Sequence, residues 1–144
     1  MNPRYPRPAQ VDREKGQSLI EMAFLVPILL LLLAAVVDAG RAFDAYIVLT
    51  NAAREGARYG TFFTSDTAVT APAVQQLVVD DVVGSGTNIT RMDDFQLSNV
   101  TVQGIAAGST AVTVTVSYDF GLWFGGVVGL DTFRLNKQAV MPVY

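Results

Sequence analysis

A polar, basic stretch opens the chain, and the next segment turns almost wholly apolar: residues 19–37 carry one charged side chain, Glu21. An amphipathic helix of a soluble domain alternates a buried stripe with a solvated face, and this run has no polar face to offer water. At 1.5 Å rise per residue the uncharged part, 22–37, spans about 24 Å, and 19–37 about 28 Å, against ~30 Å of bilayer hydrocarbon. The pattern predicts one membrane-crossing helix. A charge at the centre of such a run costs about 2.5–3.5 kcal/mol, which makes an intramembrane acid a functional candidate. Glu21 lies about one turn inside the boundary, where a tolerated snorkelling carboxylate is the alternative. Pro27 removes one backbone donor and frees the carbonyl of Ala23, so a kink is expected there, although prolines are common in membrane helices.

The helical period continues past the apolar run. Small or apolar residues recur at Ala39, Phe43, Tyr46, Thr50, Ala53, Ala57 and Gly60, four and three apart, predicting one packed face. Asp38, Arg41, Asp44, Arg54, Glu55 and Arg58 fall largely off that seam and read as its solvated side. Residues 17–60 as one helix would be about 66 Å long. Ala52, Gly56 and Gly60 are spaced four apart, which lets another backbone approach closely. Either a neighbouring helix uses that stripe, or the helix packs on its own body with Gly60 as its carboxy-terminal cap.

After Gly60 the pattern changes. A Thr- and Ser-rich loop over 61–71 precedes a short helix, with Pro72 in its first turn and Val74, Leu77, Val78 and Val82 at helical spacing; Gly84-Ser85-Gly86 ends it. Residues 95–102 alternate imperfectly and 111–118 cleanly, while 132–143 alternate with Lys137 as the exception. These predict an antiparallel sheet of three or four strands covered on one face by the two helices, an α+β body on a membrane stalk. Between the last two strands, 120–130 (FGLWFGGVVGL) carries no charge. Its Trp123 and Phe124 suit a membrane interface or a subunit contact, or else they tuck under the sheet as core.

Charge adds an orientation. Arg4, Arg7, Arg13 and Lys15 against Asp12 and Glu14 leave the segment before the span positive, whereas the whole chain is -3. The positive-inside rule keeps the leader in the cytoplasm and the acidic body outside. An acidic body offers no basic stripe for nucleic acid. With no cysteine and no histidine, disulfides and Cys or His metal sites are excluded, and no cofactor is implied.

Chemistry finds no foothold. Asp80-Asp81 and Asp93-Asp94 sit in polar, turn-like contexts suited to solvated caps, and no nucleophile elbow, phosphate loop or general-base histidine is present. The expectation is a non-enzyme without a small-molecule substrate. Asn88-Ile89-Thr90 and Asn99-Val100-Thr101 match the glycosylation acceptor pattern, which is too short to argue from.

Gly16 stands five residues ahead of Glu21, and G-x-x-x-x-E before an apolar helix resembles the processing signal of type IV prepilins. The segment EMAFLVPILLLLL followed by GRAFDAYIVLTNAAREGARYG is similar to the amino-terminal signature of TadE-like proteins, pilin-like components of tight-adherence (Flp-type) pilus systems. Glu21, Pro27, Gly40-Arg41 and the AAREGARYG ending carry that resemblance, over about a third of the chain. It implies a minor pilin or pseudopilin whose leader, 1–16, is removed by a prepilin peptidase acting between Gly16 and Gln17. The new amino terminus on Gln17 would pair with the Glu21 carboxylate of its own or a neighbouring helix. The implied organisation is a helix over 17–60 with its span at 19–37, an extracytoplasmic body over 61–144, and a place in the inner membrane or the extracellular pilus. Partners implied are membrane lipid, the peptidase, and other pilins or platform proteins. Two other readings are an uncleaved single-span anchor or envelope scaffold, and a secreted domain freed by a signal-peptide cut after Ala39.

Overall fold

Forty-nine consecutive residues, Arg13–Thr61, form one helix, α1. In this computed structural model the described residues are 13–61, 69–85, 90, 92–106, 108–127 and 129–143. Arg4 and Arg7 of the leader, most of the Thr- and Ser-rich loop, and Asn88 lie outside them. The chain divides into two units, Met1–Ala34 and Ala35–Tyr144.

In the first unit every residue from 16 to 33 is exposed. Leu19 and Phe24 are more than 70% exposed, and the other large apolar residues of the run are 43–64% exposed. Such a surface calls for an apolar surrounding, lipid or another helix, and the helix is long and apolar enough to cross a membrane once. Pro27 stands within α1 without ending it.

The second unit is the α+β body. It holds the rest of α1, a second helix α2 (Ala71–Ser85), and three strands: β1 (Val100–Gln103), β2 (Ala111–Gly121) and β3 (Thr132–Pro142). The sheet is antiparallel in the order β1-β2-β3, with Val116 opposite both Val100 and Lys137. One face is packed. Val112, Val114, Val116, Tyr118 and Phe120 of β2, with Leu135 and Ala139 of β3, join Val74, Val78 and Val82 of α2 and Ala45, Leu49, Ala52, Ala53 and Ala57 of α1 in one core.

Small residues on α1 make that packing possible. A Cβ on Gly56 would collide with a methyl of Val78, and one on Gly60 would stand 2.8 Å from a methyl of Val112. The stripe Ala52, Gly56 and Gly60 is therefore filled by the chain's own second helix and sheet. Gly60 is an interior contact residue, not a cap, because α1 runs on to Thr61.

The buried face of α1 departs from the expected seam. Ala53, Ala57 and Gly60 are buried as expected, but Ala39 is exposed and so are Phe43 (66%) and Tyr46 (41%). The stripe that meets the body instead runs through Asp38, Arg41, Ala45, Leu49, Ala52 and Gly56. Two residues expected on the solvated side thus begin the packed face. Residues 95–99 also differ from the expected strand. Leu97–Asn99 form a 3₁₀ turn in which Gln96 and Asn99 cap each other, and the strand starts only at Val100.

Candidate functional site: the amino-terminal segment and the helix–loop junction

The sequence-derived processing residues lie in the first unit. Gly16 falls inside the first turns of α1, and its Cα faces open space. One turn separates Gln17 from Glu21, and the Gln17 Nε2 donates to Glu21 Oε1 at 3.2 Å. Residues four apart in a helix stand one above the other. Both side chains are exposed, so this face of the helix start is open to a second helix.

In the body, a separate cluster forms where α1 meets the β2–β3 connection. Asp38 is only 6% exposed and Arg41 8%. Arg41 Nη1 donates to Asp38 Oδ1 at 3.0 Å and to the Gly121 carbonyl at 3.4 Å. The Asp38 carboxylate also accepts the backbone N–H of Trp123 at 3.0 Å and that of Phe124 at 2.9 Å. The guanidinium carbon lies 3.9 Å from the centre of the Trp123 ring and 5.0 Å from that of Phe120, within cation–π range. Burial alone would raise the Asp38 carboxyl. Hydrogen bonds from Phe124, Trp123 and Arg41, with the Arg41 charge, outweigh it and hold the group below its ordinary value.

The connection is a closed loop. Leu122 N–H donates to the Asp131 carbonyl and Leu130 N–H to the Gly125 carbonyl, each at 2.9 Å, around a 3₁₀ turn at Gly125–Val127. Gly125 is buried where a side chain would run into the Leu130 carbonyl and Leu122, so the turn needs glycine there. Trp123 (60%) and Phe124 (43%) nevertheless stay exposed, and this excludes the reading in which they fill the core.

Other polar positions are spent on structure. Asn99 Nδ2 donates to the Ser117 carbonyl at 2.9 Å, which ties the 3₁₀ turn to β2. Tyr118 donates its hydroxyl to Asp94 Oδ1 at 2.6 Å; burial first, then Asp94 and Asp93, push its phenol well above its ordinary value. Lys137, the exception in the β3 alternation, sets its Nζ 3.7 Å from the centre of the Tyr46 ring on α1. Arg58 pairs with Glu55 at 2.9 Å on the surface, as expected for a solvated face.

Sequence reasoning missed Asp38 and Arg41 as a pair. Their i,i+3 spacing and their place directly after the apolar run were legible, but their partners lie more than eighty residues away. No curated protein and no solved structure matches the chain. A family model does, over a segment that includes Gly16, Glu21, Pro27, Asp38, Arg41 and Gly56: residues 16–58 match the model of the TadE-like protein family.

Proposed function

We propose that this chain is a pilin-like component, a minor pilin or pseudopilin, of a tight-adherence type IV pilus system, cut after Gly16 and packed into the assembly through the exposed half of α1. The observation that carries the reading is the TadE-like match over residues 16–58, which begins at the proposed cut and runs through the apolar helix. It supports a place in the tight-adherence pilus system, and the role within that system rests on the processing signal and the exposed helix.

The physical steps follow from the first unit. A peptidase needs an extended backbone, and Gly16 lies in a helix, so the first turn of α1 must open. That opening is cheap: glycine disfavours helix by about 1 kcal/mol, and the first N–H groups of a helix have no intrahelical partner. Cleavage would leave a cationic amine on Gln17 at the positive end of the helix dipole, an unfavourable place for it. Glu21, already within reach of the Gln17 side chain, supplies the compensating charge. In the membrane that carboxylate would seek the amine of its own or an adjacent subunit, a pairing that sets the axial register between helices. Pro27 would give the span a joint at which to adjust.

Gly16→Leu should leave full-length precursor in the membrane fraction, while Glu21→Ala should be cut normally and fail to enter the pilus or its assembly complex. Normal maturation of the Leu variant would overturn the processing step and favour an uncleaved anchor. Wild-type assembly by the Ala variant would reduce Glu21 to a snorkelling residue.

A further inference from the structure

We infer that the loop between β2 and β3 is a membrane-interface foot, whose Trp123, Phe124, Val127 and Leu130 enter the headgroup–acyl boundary of the leaflet on the body's side. The inference rests on reading 19–37 as a membrane span. Its first support is exposure: these four side chains are 43–67% exposed, in a segment with no charged residue from 120 to 130. A patch of that kind needs an apolar partner.

The second support is rigidity. Asp38 holds the N–H groups of Trp123 and Phe124, and the Leu122–Asp131 and Leu130–Gly125 hydrogen bonds close the loop, so the rings cannot fold back into the core. The third is position, and it selects lipid over another protein. Asp38 directly follows Val37, the last residue of the uncharged run, and Val36 and Val37 are themselves 60% and 46% exposed. The loop is therefore fastened to α1 at the level where its uncharged apolar run ends. Hydrocarbon gives way to headgroups there, and the ring of tryptophan, apolar with one N–H donor, partitions to that depth. The Arg41 guanidinium against the Trp123 ring keeps its orientation fixed.

Trp123 is the only tryptophan in the chain, so its fluorescence reports this loop alone. The test uses the full chain in phosphatidylcholine–phosphatidylglycerol vesicles with lipids brominated either near the ester or near the chain end. A second variant, Leu32→Cys carrying an environment-sensitive dye, reports the span independently, since the chain has no other cysteine. Expected are a blue-shifted Trp123 emission, loss of emission with the shallow bromines, little loss with the deep ones, and protection from aqueous iodide. Full iodide access with a hydrocarbon-like Leu32→Cys signal overturns the foot and leaves the span standing. An aqueous signal at both positions overturns the span and the foot together. A blue shift that vanishes as protein is diluted in lipid assigns the loop to a second copy and likewise overturns the inference.

Discussion

Replacing Asp38 by alanine tests whether the helix–loop junction organises the body. The substitution removes the acceptor of three donors: Arg41 Nη1 at 3.0 Å and the backbone N–H groups of Trp123 and Phe124 at 3.0 and 2.9 Å. Truncating one member of a buried ion pair costs about 3–5 kcal/mol, mostly through the charge left behind. Arg41 would keep the Gly121 carbonyl and the two aromatic rings, which places Asp38→Ala near the lower end, about 3 kcal/mol. Asp38→Asn keeps one acceptor oxygen and should lose about half as much. Denaturant unfolding of the full chain in detergent, followed by Trp123 emission, measures both. With Arg41→Met as the second arm of a double-mutant cycle, the double variant should lose less than the sum, because each single change strands the other partner. Acid supplies an independent arm. A carboxyl depressed in the fold contributes stability that is complete above its ordinary value of 3.8 and is lost as pH falls through the folded value. That loss should be absent from Asp38→Asn. A change within about 0.5 kcal/mol for Asp38→Ala, or simple additivity with Arg41→Met, would refute the reasoning.

Gly56→Val should destabilise the body by about 2 kcal/mol in the same assay, since even a Cβ there meets the Val78 methyl, whereas Gly40→Ala, with open space around it, should gain up to about 1 kcal/mol of helix propensity. Equal effects at the two glycines would contradict the packing described. The raised Tyr118 phenol predicts that stability is complete below its ordinary value of 10.0 and falls as pH rises above it. Tyr118→Phe should remove that alkaline loss, and an unchanged alkaline profile in unfolding titrations would count against the buried Tyr118–Asp94 hydrogen bond.

The long apolar helix was legible because nineteen nearly unbroken apolar positions leave it no polar face, and β2 because Val112, Val114, Val116 and Tyr118 alternate cleanly with Thr113, Thr115 and Ser117. Helix periodicity was equally clear, but not its phase. Phe43 is apolar and faces outward, while Asp38 and Arg41 are charged and face the body. Hydropathy scores the side chain and not its partner, and the partners here are the backbone of a loop distant in sequence. Lys137 was an exception for the same reason: an aromatic ring on another element makes an inward ammonium acceptable. The strand expected over 95–102 shortened because Gln96 and Asn99 satisfy each other and hold a turn before Val100. At the proposed cut, the residue types of Gly16 and Glu21 carried the signal, and the geometry adds their openness on a helix end.

The central claim, that the chain is a processed pilin-like subunit, is tested most directly by the intact mass of the protein recovered from membranes of cells that carry its assembly system. The account predicts a mature chain that begins at Gln17. A chain that still begins at Met1 in such cells, or one that begins at Gly40, would contradict it.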